Sequence, residues 1–365
     1  MPLSPIELIK RQKRSIIDRH TRPENAKALT QVVSTLVPLG LLWWAAVQGS
    51  RISVWFTVGV TLLMSLFLLR AFVMMHDCGH GSLFRTGWLN KVFGFVFGVV
   101  SGMPQYVWSQ HHAYHHATNG NWAKYRGPLN IASVDEYAAL TDKQQRANQR
   151  ARNIAMAPLA GFMYLILNPR LTWVKGSLQL LGHIMARKIA QPAIPLRKHA
   201  AEFKTGYWAS AAEYWHMTGN NVVLLSGWLL MSWLIGPALF FSVYLVSVSL
   251  AGAGGIVLFI VQHNFKHSYA SGDEGWDYDT AAIEGTSFLI LPGWLNWFTA
   301  DIAYHHVHHL SARIPNYCLV RCHEENAHLF ADVTRVKLSE IPGALKYILW
   351  DTRARRIISV AERGL

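Results

Sequence analysis

Apolar residues in this chain gather in long runs separated by polar, basic stretches. Leu29 to Val47, "LTQVVSTLVPLGLLWWAAV", is one run, and Val54 to Met74, with Arg70 near its end, is the next. Asn221 to Ile235 and Pro237 to Val261 are two more. A helix crossing the hydrocarbon core of a bilayer needs about 20 mostly apolar residues. The pattern therefore predicts four spans, at about residues 29–47, 54–74, 221–235 and 237–261. "QGSRIS" joins the first pair, and Gly236-Pro237 joins the second, a turn signal with proline at a tolerated first helical position. Each pair reads as a tight transmembrane hairpin.

Other apolar stretches are shorter. Trp88 to Pro104 is short for a span and is expected to lie in, or dip into, the membrane surface. Residues 154–167 and 171–185 are expected to do the same. Ala344 to Val360 reads as an amphipathic basic helix, resting on the inner leaflet or packing in the cytosol. The glycines of "LAGAGGIV" (Leu250 to Val257) are expected to let helices approach closely. No strand precedes them, which excludes a dinucleotide-binding loop. There is no repeat beyond the two hairpins. The fold class expected is an all-α integral membrane protein forming a single domain over residues 1–365. Residues 75–217 and 262–365 would form a cytoplasmic helical cap.

Composition agrees with a membrane protein. Hydrophobic residues make up 51% of the chain and charged ones 15%, against about 25% charged in soluble domains. Fifteen Trp and 13 Tyr supply side chains suited to the interface. A net charge of +13 could mark a nucleic-acid surface, but in a membrane protein cytoplasmic loops collect Lys and Arg. Residues 1–28 hold seven of them, whereas the two hairpin tips hold Arg51 alone. Both termini and the central loop are therefore expected in the cytoplasm. Cys78, Cys318 and Cys322 form no CxxC pair or disulfide framework. The basic N-terminus has no signal-peptide core, so the first run would serve as its own insertion signal. A bacterial inner membrane is the expected location, since "AERGL" is not a retention signal.

Histidine changes this picture most. Of 18 in the chain, twelve fall in four short clusters. "HDCGH" places His76 and His80 at i, i+4. "HHAYHH" offers His112, His115 and His116 at i, i+3, i+4, with His111 beside them. "VQHNFKH" contributes His263 and His267, and "HHVHH" offers His305, His308 and His309, with His306 beside them. On a helix these offsets share a face, and imidazole binds iron, copper and zinc. The span pattern puts all four clusters on one side of the membrane, where they can converge. Nine such imidazoles exceed the needs of one metal, so two are implied. Carboxylates are few among them (Asp77 and Asp301), unlike the Glu-rich di-iron sites of soluble bundles.

"HDCGHGSLF", "WSQHHAYHHATNG" and "DIAYHHVHHLSARIPNYCL" resemble the three histidine boxes of the membrane fatty acid desaturases, in particular the acyl-lipid branch. "VQHNFKHSY" is similar to the family's segment that supplies a further ligand. The resemblance covers roughly residues 71–325. It implies two non-haem iron ions, O2 as co-substrate, and a cis double bond placed in a fatty acyl chain. It implies the ligands His76, His80, His112, His115, His116, His263, His305, His308 and His309. Trp108 precedes the second box as in the family and selects His112 over His111. Asp77, Trp108, His111, Asn119, His267, Asp301 and His306 are expected to support the ligands, or simply to pack and cap. Lys266 stands where the family often has an acidic residue. No haem or ferredoxin module is visible, so electrons are expected from a separate ferredoxin-like or small haem carrier, and no nucleic acid is expected as partner. The boxes alone leave open a related oxygenase, such as a carotenoid ketolase or an alkane or fatty-acid hydroxylase. A divalent-metal transporter is the remote alternative, for which ligands midway through the spans are expected.

Overall fold

The structure is a computed structural model that describes residues 3–127 and 130–363. Its helices include five long and apolar enough to cross a membrane: Asn25–Ser50, Val54–His80, Ile154–Ala190, Ala211–Ile235 and Pro237–His263. Four of these contain the expected spans and extend them. The second continues through His80 and the fourth through His263, so these histidines lie on the spans' own last turns rather than in loops beyond them. Both hairpins form. Ser53 Oγ accepts the Trp55 amide proton at the first tip, and Gly236, at φ 84°, turns the chain into Pro237 at the second. Trp55 and Trp233, 79% and 80% exposed, flank these tips as interfacial aromatics would.

The third long helix corrects an expectation. Residues 154–167 and 171–185 are not two separate helices but parts of one, joined through a π turn at Met163–Leu167. Pro169 has no N–H to offer the carbonyl four residues back. Arg170 supplies the missing donor: its Nη1 donates to Leu165 O at 2.7 Å, to Ile166 O at 3.1 Å and to Gly102 O at 2.5 Å. The helix carries on past its proline because a side chain replaces the lost bond. Its first part packs on Pro237–His263 at a contact of two glycines. A Cβ on Gly252 would lie 2.6 Å from Gly161 Cα, and one on Gly161 would lie 2.5 Å from Ser249 O. The expected close helix packing is present there. The short apolar helix, Gly87–Ser101, also forms and packs against Val54–His80.

The fold is mainly helical but not all-α. Phe288–Ile290 pairs in parallel with Arg335–Lys337. Ala132–Ser133 pairs in parallel with Tyr347–Asp351, which pairs antiparallel with Arg356–Ser359. The basic helix expected over Ala344 to Val360 is thus a β-hairpin. Its apolar residues form two short runs, Ile348 to Trp350 and Ile357-Ile358, all buried. Between them Asp351 Oδ1 accepts the amide protons of Arg353 and Ala354, each at 2.9 Å, and Arg355 takes φ 51°. A turn so capped ends a strand and cannot sit inside a helix.

The N-terminal helix Pro5–His20 begins in a capping box between Ser4 and Glu7. It buries Ile9 and Ile16 against Val307, Leu310 and Leu319. Lys10 pairs with Asp277 at 2.9 Å, Lys13 with Asp279 at 2.5 Å, and His20 Nε2 lies 3.0 Å from Glu325.

Candidate metal centre

Four helix ends meet at one place. His76 and His80 come from the last turns of Val54–His80, and His263 ends Pro237–His263. His112, His115 and His116 come from Gln105–Thr118, and His305, His308 and His309 from the short helix His305–Leu310. Ring nitrogens of His76, His80, His112, His116 and His308 all lie within 4.8 Å of one another, as do those of His115, His263 and His309. His305 joins the second group, its Nε2 2.9 Å from His263 Nε2. The two groups touch, since the rings of His116 and His309 stack at 4.2 Å. All nine histidines singled out in the sequence therefore converge, in sets of five and four.

This donor set fits metal ions better than it fits itself. His116 Nε2 lies 3.0 Å from both His112 Nε2 and His308 Nε2. One ring nitrogen has a single in-plane lone pair or a single hydrogen, and it cannot serve both neighbours with linear bonds. Both ring nitrogens of His115 and Nε2 of His309 are buried without a hydrogen-bond partner. Extra protons do not relieve the crowding. Burial first, and repulsion from the other imidazoles second, hold His112, His115, His116, His305, His308 and His309 well below the ordinary histidine range. Neutral imidazoles with inward lone pairs are a ligand set for borderline metals, and two groups make room for two.

Some of the supporting residues do touch the ligands. Asp77 Oδ1 lies 2.8 Å from His76 Nδ1, and its Oδ2 accepts the Asn316 amide proton at 3.0 Å. A proton held on Nδ1 by that carboxylate leaves Nε2 as the free donor atom of His76. Trp108 stacks on His112 at 4.5 Å and donates from Nε1 to the Tyr164 hydroxyl at 2.8 Å. The remaining five lie elsewhere. His111 is exposed and faces the cavity described below. His306 is buried on the other side of its helix, against Phe330, with its Nε2 2.8 Å from His323 Nδ1. His267 is exposed, at φ 66°, next to Arg356. Asn119 ties the end of its helix to Ala281 O at 2.9 Å and accepts from Trp276 Nε1. Asp301 lies near Arg70 in the turn before His305. Among the described residues, none of these five makes a side-chain hydrogen bond or ring contact with the nine.

Sequence reasoning overlooked Tyr278, whose hydroxyl donates to His309 O at 2.9 Å, and Tyr164 behind Trp108. Neither lies in a histidine cluster, and only the folded packing brings them near.

An apolar cavity of about 320 Å³ adjoins the imidazoles. His76, His112 and His305 line it, together with Leu69, Phe72 and Val73 from one long helix and Gly252, Gly255, Ile256 and Phe259 from another. Leu69 precedes His76 by seven residues, and Gly252 precedes His263 by eleven. At 1.5 Å per residue the cavity walls reach roughly 10–16 Å back along these helices. Its apolar lining suits an apolar ligand beside the histidines.

Comparison with known proteins agrees with this geometry. The family model described as "Fatty acid desaturase" matches residues 53–338. A protein named "Fatty acid desaturase" from Bacillus subtilis (strain 168) is 32% identical over 93% of this chain and 87% of its own length. An "sn-1 oleoyl-lipid 12-desaturase" from Anabaena variabilis is 24% identical over 80% of this chain and 74% of its own. An "sn-1 acyl-lipid omega-3 desaturase (ferredoxin)" from Nostoc sp. (strain 36) is 22% identical over 83% and 76%.

Proposed function

This chain belongs to the fatty acid desaturase family, and from that premise we propose that it uses two histidine-bound irons and O2 to place a cis double bond in a membrane acyl lipid. The observation that carries the reading is the convergence of nine buried imidazoles on an apolar cavity. His76, His80, His112, His116 and His308 would hold one iron, and His115, His263, His305 and His309 the other. Bound there, the metal pair would activate O2, the oxidant that removal of hydrogen from an unactivated methylene demands.

The protein supplies position and dryness. Leu69, Phe72, Val73, Ile256 and Phe259 hold the chain along the cavity, so that one pair of carbons rests beside His76, His112 and His305. The same walls keep bulk water from the reacting carbons. Asp77 fixes the His76 ring and Trp108 the His112 ring, so neither must reorganise during turnover. Electrons come from a separate carrier.

Convergence of the histidines supports a four-crossing topology. Three long apolar helices lie between His116 and His308, yet those rings are 3.0 Å apart at Nε2. An even number of crossings must separate them, so the three cannot all cross, and two crossings are the larger number allowed. We take Ile154–Ala190, whose middle carries Asn168, Pro169, Arg170 and Lys175, as the helix that does not cross. With four crossings the termini and the histidine region share one side, and the many Lys and Arg there favour the cytoplasm; a bacterial inner membrane and a single folded domain complete the proposal.

The test is expression in a host that lacks desaturases, with fatty-acid profiling of its lipids and elemental analysis of the purified protein. New unsaturated acyl chains and close to two irons per polypeptide are expected. Hydroxylated products alone, or stoichiometric zinc with no iron-dependent turnover, would overturn the reading. Labelling a cysteine introduced at Arg51 and another at Leu140 checks topology. Reaction of both from the same side would contradict four crossings.

A further inference from the structure

Desaturation of –CH2–CH2– with O2 draws two electrons and two protons from outside and yields –CH=CH– and two waters. The protein therefore needs a face where a reductant can dock. On the N-terminal helix Lys10 and Lys13 are bound to Asp277 and Asp279 and Arg14 faces Asp18, while Arg11 and Arg19, eight residues apart, are exposed and outside the ion pairs of the described residues. The C-terminal hairpin groups its exposed cations in a single turn. Arg353 and Arg355 in its turn are exposed, as is Lys266 in the loop beside it, and none of the three forms an ion pair among the described residues. Loop and hairpin are joined edge to edge. The Ala270 amide donates to Arg355 O at 2.9 Å, and Arg356 Nη1 lies 3.1 Å from His267 Nδ1.

This basic face connects to the metal centre by a short bonded route. The Ile357 amide donates to Ser268 O at 3.0 Å, and Ser268 Oγ donates to His263 O at 2.8 Å. Both Ser268 and His263 are buried. Among the described residues the hairpin offers a bilayer no apolar side, since Ile348, Leu349, Trp350, Ile357 and Ile358 are turned inward. Charge without exposed apolar surface suits a soluble acidic protein better than a membrane.

We propose that the hairpin turn with Lys266 is the docking face for a small acidic one-electron carrier, and that the Ile357–Ser268–His263 contacts lead its electrons inward. This rests on the di-iron reading above. Two carrier encounters then serve each double bond.

The experiment compares wild type with Lys266→Glu/Arg353→Glu/Arg355→Glu, and with the milder Arg353→Gln/Arg355→Gln. The iron-loaded full-length protein is driven by an acidic [2Fe–2S] ferredoxin or, separately, by dithionite, which needs no docking. Binding of oxidised ferredoxin is measured directly as well. The charge-reversed variant is expected to raise both KM and Kd for ferredoxin by about tenfold or more, with kcat and the dithionite rate unchanged. The milder variant should fall between, and added salt should weaken wild type more than either variant. Unchanged KM and Kd would overturn the proposal. So would a loss seen equally with dithionite and confined to anionic vesicles, which would make the hairpin a membrane contact. No unsaturated product with either reductant in wild type would instead sink the desaturase reading itself.

Discussion

His111–His116 and His305–His309 carry almost the same letters, "HHAYHH" and "HHVHH", yet their surplus histidines meet opposite fates. The first motif sits on a 14-residue helix with one face toward the cavity and solvent, and its surplus residue, His111, is exposed. The second sits on a six-residue helix buried on every side. Its surplus residue, His306, cannot reach water and is matched by His323 and packed on Phe330. A doubled histidine is cheap on an open helix, where water solvates the extra ring. In an enclosed helix the extra ring needs a partner of its own. Imidazoles proposed to hold metal thus differ in setting from those that hold the fold and those that do neither.

The largest effect expected breaks the first motif at its centre. His116→Ala removes the ring that stands between His112 and His308, and should abolish both desaturation and the metal of the five-histidine group. His111→Ala should keep full metal content and measurable activity. Elemental analysis and lipid profiling at matched protein levels decide it. Equal metal loss from both variants would mean that the two rings are not distinguished in the way their burial suggests.

The second motif should respond differently. His306→Ala leaves His323 unpartnered and opens a gap beside Phe330, at a cost of about 1–3 kcal/mol in stability. His111→Ala should stay within about 0.5 kcal/mol. Thermal unfolding in detergent, read beside metal content, makes the distinction. A His306→Ala protein of full stability that had lost metal would convert His306 into a ligand.

Asp77 sharpens the contrast between two buried imidazole pairs. His306–His323 is neutral on both sides, whereas His76 leans on a carboxylate that also accepts the Asn316 amide. Asp77→Ala should lower metal affinity by about 10–100-fold, as losses of a ligand's carboxylate partner do. Chelator competition measures it. Affinity unchanged with only stability reduced would limit Asp77 to anchoring Asn316.

Much of this site could be read from the chain because its signals are local. Offsets of three and four residues place ligands on one helix face regardless of what packs around them, and long apolar runs identify the spans. What escaped depends on partners distant in sequence. The joining of residues 154–190 into one helix needed Arg170 to serve the carbonyl that Pro169 abandons. In the tail, alternating basic and apolar letters suit a helix face as well as a capped turn between two strands, and pairing with Ala132–Ser133 decides for strands. His267 shares a segment with His263, but the helix ends at His263 and the chain turns outward, so i, i+4 geometry no longer applies. Asn119 and Asp301 neighbour the boxes, a position that suits ligand support and plain capping or packing equally. Their contacts show one fastening a helix end and the other lying near Arg70.

Asp301 offers the smallest expected effect, and it bears on how the two motifs are held. The first begins after Pro104, whereas the second follows a turn in which Ala300 and Asp301 both take positive φ, 46° and 57°. Burial pushes the Asp301 carboxyl up to about 6, and nearby Arg70 only partly opposes it. A carboxyl raised in the folded state binds its proton more tightly there than in the unfolded chain. Its contribution to stability is fully present below the unfolded value near 4 and is lost as pH rises through about 6. Asp301→Asn keeps a residue that tolerates positive φ and removes the titration. The variant should therefore show a flatter stability profile between about pH 4 and 6 than wild type, with metal content unchanged when loaded at neutral pH. Thermal unfolding of the metal-free protein across that range isolates the carboxyl from protonation of bound ligands. Identical slopes in the two proteins would place the charge of Asp301 in contact with water, and leave the turn before the second motif held by backbone alone.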